Sequence, residues 1–119
     1  MKPNYFEIES IEQWQTLLDQ SGERALLLLK HSTACPISGA AFKEFNVYTR
    51  KPKRPIVCAL VKVIECRPVS NEIESKLGIK HESPQILLIQ NGQTLWHASH
   101  WDITFERIEQ QVNENIAKS

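Results

Sequence analysis

The run Ala25-Leu26-Leu27-Leu28-Leu29-Lys30 narrows the fold of this chain more than any other segment. It is strand-length and apolar without alternation, whereas a strand with one wet face would alternate apolar and polar residues. Such a run is expected of a strand covered on both faces, as parallel strands are. Ile56 to Val63 repeats the pattern with β-branched residues and reads as a second buried strand. The segment between them supplies the crossover helix. Pro36 suits the first helical position, where its missing N–H has no helical partner, and this puts Cys35 at the N-cap. Ile37, Ala40, Ala41, Phe45 and Tyr48 then keep an apolar face at helical period until a basic loop interrupted by Pro52 and Pro55 ends the element.

Other elements follow from local signals. Ser10 caps a first helix with Gln13 at the capping-box position, Ile11, Trp14, Leu17 and Leu18 form its stripe, and Ser21-Gly22 stop it. Asn71 with Glu74 reads as a second capping box opening a short helix that Gly78 terminates. Gln85 to Gln90 and Gln93 to Ala98 flank Asn91-Gly92, the favoured type I′ pair, and read as a hairpin. Phe105, Ile108, Val112 and Ile116 form a terminal amphipathic helix opening near Thr104. The order is helix, strand, helix, strand, helix, strand, strand, helix. It implies an α/β protein, one domain over residues 1–119, with a mixed four-stranded sheet flanked by helices on both faces.

A length of 119 residues suits one domain with its own core, and 41% hydrophobic with 24% charged residues is ordinary for a globular protein. Fourteen Lys and Arg balance fourteen Asp and Glu, which argues against a nucleic-acid partner. The basic cluster Arg50, Lys51, Lys53 and Arg54 reads as a solvated loop. No leader pattern is present, and the longest apolar run is too short to cross a bilayer. The expectation is a cytoplasmic monomer without a membrane partner. Cys35, Cys58 and Cys66 have neither C-x-x-C nor zinc spacing, and His81, His97 and His100 have no ligand spacing with them, so no metal site is expected.

The candidate reactive group is Cys35. A thiolate is the nucleophile of disulfide exchange, and the unpaired N–H groups and positive dipole end of a helix N-terminus favour it. The loop at the C-terminal end of a parallel strand also lies on the sheet edge where ligands approach. Ser38 stands where a dithiol oxidoreductase would carry its second cysteine, so a mixed disulfide at Cys35 must wait for an outside thiol. The blander reading of Ser38 is a first-turn residue with a local hydrogen bond. His31 could favour the thiolate when protonated. Cys66 follows the second strand and is either an out-of-motif resolving thiol or an exposed loop cysteine without a role, while Cys58 alternates into the core. Trp96 and Trp101 are expected to pack under the terminal helix, with substrate stacking as the alternative.

The stretch Lys30-His31-Ser32-Thr33-Ala34-Cys35-Pro36-Ile37-Ser38 resembles the active-site segment of the monothiol bacilliredoxins, whose motif is Thr-Cys-Pro-Ile-Ser. Ala34 replaces the threonine and removes a hydroxyl next to the cysteine. Pro68-Val69-Ser70-Asn71 and Ser83-Pro84-Gln85 are also similar to that family. The resemblance implies a thioredoxin-like fold, Cys35 as the catalytic thiol with Thr33, His31, Pro36, Ile37 and Ser38 in support, and a cis-proline at Ser83-Pro84 forming the substrate groove. It further implies no tightly bound cofactor, bacillithiol as thiol co-substrate, bacillithiolated proteins as clients, and an NADPH-dependent flavin disulfide reductase downstream. Two other classes fit the residues: a redox-silent thioredoxin-like binding module, and a monothiol glutaredoxin-like iron–sulfur carrier.

Overall fold

In the computed structural model, which describes residues 4–117, the run singled out above becomes the central strand of the sheet. The elements are β1 (Phe6–Glu7), α1 (Ile11–Gln20), β2 (Ala25–His31), α2 (Pro36–Arg50), β3 (Ile56–Lys62), α3 (Arg67–Leu77), β4 (Gln85–Gln90), β5 (Gln93–Ser99) and α4 (Phe105–Asn115), with a short 3-10 turn at His100–Asp102. The sheet order is β1-β3-β2-β4-β5. β2 runs parallel to β3 and antiparallel to β4, and the β4–β5 hairpin is antiparallel.

The physical reason for the unbroken apolar run is now visible. Leu27 and Leu29 point into a layer built with Phe45 and Tyr48 of α2 and Ile108 and Val112 of α4. Leu26 and Leu28 point the other way, into a layer built with Trp14 and Leu18 of α1 and Val69 and Ile73 of α3. Each of these four leucines is at most 1% exposed, and burying one contributes about 1.5–3 kcal/mol.

Local signals explain the element ends. Ser10 and Gln13 form the reciprocal capping box, with Gln13 N–H donating to Ser10 Oγ at 3.1 Å and Ser10 N–H to Gln13 Oε1 at 3.2 Å. Thr104 Oγ1 accepts from Arg107 N–H at 3.2 Å and caps α4. Gly78 ends α3 in the left-handed region at φ 70°, as a C-terminal glycine does. Asn91 and Gly92 have φ of 55° and 72°, the two positive values that a type I′ turn requires.

Three expectations are corrected. The sheet has five strands, not four: Phe6 and Glu7 pair with Ala59 and Leu60, and an exposed two-residue strand has no periodicity to read. α3 begins at Arg67 rather than Asn71, because Cys66 takes the N-cap and Pro68 fits the first turn. Glu74 is not a capping-box partner; its carboxylate accepts the N–H of His81 at 2.7 Å. Trp96 does pack against the α2–α4 layer, but Trp101 is 68% exposed because the 3-10 turn after β5 throws it outward. Among the described residues no helix is long and apolar enough to cross a membrane.

Candidate functional site

Cys35 sits between the C-terminal end of β2 and the first turn of α2, in extended N-cap geometry with φ −115° and ψ 123°. Its carbonyl accepts the Gly39 N–H at 3.2 Å, and its N–H donates to Ser32 O at 3.4 Å. The side chain makes no capping hydrogen bond, so the half-buried thiol is not committed to the helix. It lies at the positive end of the α2 dipole beside N–H groups without helical partners. Pro36 occupies the first turn without losing a hydrogen bond. Ile37 is half-buried beside it, and Pro36 and Ala34 are exposed.

Ser38, in contrast, is fully buried. Its Oγ accepts the Ser32 N–H at 2.8 Å and lies 2.9 Å from His31 Nδ1. With one lone pair taken by Ser32, the hydroxyl proton is free to donate to a neutral imidazole. Burial pulls the His31 pKa below its ordinary value and Lys62 adds to this, while a backbone hydrogen bond with Ser38 and the charge of Glu65 oppose it. The ring also packs 5.3 Å from Phe42. Desolvation works against the protonated His31 that would favour the Cys35 thiolate, while the ring ties Ser38 to the end of β2. Sequence spacing left His31 and Ser38 as separate candidates; the structure joins them.

Thr33 Oγ1 donates to Glu65 Oε2 at 3.1 Å, which ties the Cys35 loop to the loop before α3. Cys66 is the half-buried N-cap of α3 and packs against the α1–α3 layer, so it is not an exposed loop cysteine. Desolvation raises its pKa, and Glu9, Glu7 and Glu65 push the same way against Lys62. Cys58 is buried, as expected, and burial pushes its thiol up to about 12.

Ser83-Pro84 is a cis peptide bond. Pro84 is buried and leads directly into β4, whose first residue Gln85 lies opposite Lys30 at the end of β2, so the proline stands at the sheet edge where the Cys35 loop begins. Ser83 Oγ is buried without a partner. The Pro84 carbonyl accepts the His100 N–H at 3.1 Å, and His100 holds the left-handed φ of 55°. This brings Trp101 to the same edge, where it lines a cavity of about 280 Å³ with Ala40, Lys43, Glu44 and Thr104. The cavity that the His100–Trp101 turn lines includes neither Cys35 nor Ser83-Pro84. A cavity of about 600 Å³ lies elsewhere, between β1 and α1, and includes none of the candidate residues. Among the described residues no group of three His, Cys, Asp or Glu side chains is placed to hold a metal.

A lone thiol at the N-cap after a central parallel strand, with a cis-proline entering the neighbouring antiparallel strand, defines an oxidoreductase of the thioredoxin fold. The model of the monothiol bacilliredoxin BrxC family matches residues 6–108. The chain belongs to that family. Among solved structures it is similar to a protein described as an oxidoreductase with a thioredoxin fold, at 30% identity and a TM-score of 0.79 over 90% of this chain and 92% of the other. The thioredoxin NaTrxh from Nicotiana alata gives a TM-score of 0.78 at 16% identity, covering 98% of this chain and 97% of that one. Thioredoxin Mala s 13 from Malassezia sympodialis gives 0.77 at 16% identity, covering 98% and 94%. At that identity the two thioredoxins speak for the fold alone.

Proposed function

We propose that this protein removes bacillithiol from proteins that carry it as a mixed disulfide, using Cys35 as its single working thiol. The Cys35 thiolate attacks the bacillithiol sulfur. A Cys35–bacillithiol disulfide forms, the client sulfur leaves as a thiolate, and that thiolate takes up a proton from solvent. A second bacillithiol thiolate then attacks the bound bacillithiol sulfur, which frees Cys35 and yields bacillithiol disulfide. An NADPH-dependent flavin disulfide reductase would return that disulfide to the thiol pool. Cytoplasmic conditions, where thiols are kept reduced, suit this cycle.

The observation that carries the reading is the state of Ser38. A dithiol enzyme needs a mobile sulfur at this position; here a buried hydroxyl is bound to Ser32 and His31. Cys66 is set apart from Cys35 at the N-cap of α3, where burial and three nearby glutamates raise its pKa. Both features support release by an external thiol.

Intact mass after mixing with bacillithiol disulfide tests this. The expected result is one bacillithiol adduct on the wild type and on Cys66→Ser, and none on Cys35→Ser. A wild type that stays unmodified would leave the redox-silent binding module as the better account, and a coloured, iron-containing protein as purified would favour the iron–sulfur carrier. An adduct that Cys66 rapidly resolves as an internal disulfide would overturn the single-thiol mechanism.

A further inference from the structure

Lys30 is 0% exposed. Lysine is almost never fully buried unless paired, because desolvating an ammonium is costly. Among the described residues no carboxylate forms an ion pair with it. Its Nζ instead donates to the Ser70 carbonyl at 3.1 Å and lies 3.1 Å from His81 Nδ1. For that nitrogen to accept, the imidazole must be neutral with its proton on Nε2. A methionine of similar length would fill the same space without the desolvation cost. The stability of the fold therefore gives no reason for an amine here.

The contacts of this amine converge on one segment. His81 N–H donates to Glu74 Oε2 at 2.7 Å, and Ser70 Oγ lies 3.3 Å from His81 Nδ1. Gln85, the cross-strand partner of Lys30, donates to the Lys80 carbonyl at 2.9 Å, and its Oε1 is buried without a partner. β2, α3 and β4 thus each hold residues 80–81, which are joined to Ser83 and Pro84 through Glu82 alone. The charged groups bearing on His81 are Lys30 from β2, Glu74 and Arg67 from α3, and Glu82 from its own loop, while β4 presents the neutral Gln85. Desolvation first and the Lys30 charge second keep His81 below the usual histidine range, with Arg67 adding to this and Glu74 and Glu82 opposing it. Burial brings Lys30 itself down to about 8, against the pull of Glu74.

We propose that Lys30 and His81 are a positioning pair for the substrate groove, fixing the Ser83-Pro84 segment against the strand that delivers Cys35, and that substrate binding weakens when His81 takes up a proton. Protonation leaves Nδ1 unable to accept and sets two cations 3.1 Å apart, so the segment loses its tie to β2. This inference rests on the disulfide-exchange reading above.

The test compares the wild type with Lys30→Met and His81→Gln in two reactions between pH 5.5 and 8.5. One is transfer from a peptide carrying bacillithiol as a mixed disulfide, resolved into kcat and KM. The other is the reaction of Cys35 with a small aromatic disulfide, which needs no groove. Lys30→Met is expected to melt at a higher temperature than wild type, react normally with the small disulfide, and show a KM for the peptide about tenfold higher, the scale of one lost hydrogen bond. Wild-type KM is expected to rise as pH falls below the ordinary histidine range, and His81→Gln to lack that step. A folded Lys30→Met variant with wild-type KM across the range overturns the positioning role. So does a wild-type KM that is flat with pH, or ring-nitrogen NMR showing the His81 proton on Nδ1. A wild type inert toward both disulfides overturns the exchange reading itself and the pair's role with it, a result distinct from the first three.

Discussion

At Ser38 one hydroxyl stands where an internal resolving sulfur would be and joins the end of β2 to the first turn of α2 through His31 and Ser32. Its position was legible from spacing after Cys35, and the local hydrogen bond was among the readings. Its partner was not, because nothing in a sequence shows that the residue ending one strand folds back onto a helix that starts five positions later. Ser38→Cys is expected to form an internal disulfide with Cys35 and make the bacillithiol adduct short-lived, which a time course of intact mass would follow; an equally persistent adduct would contradict the inferred first-turn geometry. Trp101 shows the opposite failure. Packing under the terminal helix was the first reading, yet the turn at His100, whose N–H bonds the Pro84 carbonyl, leaves it exposed. Trp101→Ala should leave reaction with a small disulfide unchanged and raise KM for protein clients several-fold, as losing an exposed aromatic contact of about 1 kcal/mol would, a split that steady-state kinetics would reveal.

Elements with a strong period were the most readable. β2, β3, α1, α2, the hairpin and α4 all lie within a residue or two of their expected bounds, since burial imposes the pattern that was read. The N-cap of α3 was misplaced by five residues because a favourable Asn71–Glu74 spacing competed with Cys66-Arg67-Pro68, and tertiary contact to His81 had already claimed Glu74. β2 carries the largest share of the packing. Leu28→Ala, at 0% exposure between α1 and α3, is expected to cost about 2–5 kcal/mol from lost burial and the cavity left behind, measurable as a fall in the urea midpoint at constant slope.

Over the whole molecule, neutral net charge hides a pH response on the acid side to which two histidines contribute. Burial lowers the folded pKa of both His31 and His81 below the unfolded value. The unfolded chain then binds more protons than the folded one as acid is added, so the stability these rings contribute is present above about 6.5 and is lost as pH falls through their folded values. Melting temperature should drop between pH 7 and pH 5, and a His31→Asn, His81→Gln double variant should show a shallower drop; equal slopes would contradict the assignment. The burial of these rings and of Lys30 was the least legible part of the site, because the sequence offers no neighbour to pair with them and their partners arrive from α2, α3 and the segment before β4.

The two-residue strand at the sheet margin has a consequence for how the molecules behave toward one another. Phe6 and Glu7 occupy the hydrogen-bonding side of Ala59 and Leu60, on a strand whose exposed ladder would otherwise offer an apolar template to another chain. Glu7 also places a carboxylate 3.5 Å from Lys62 at the end of that ladder. A chain beginning at Ile8 should keep Cys35 chemistry yet self-associate with rising concentration, seen as light scattering that the full chain does not give. These two residues, remote from the thiol, would set the concentration at which the protein stays in solution.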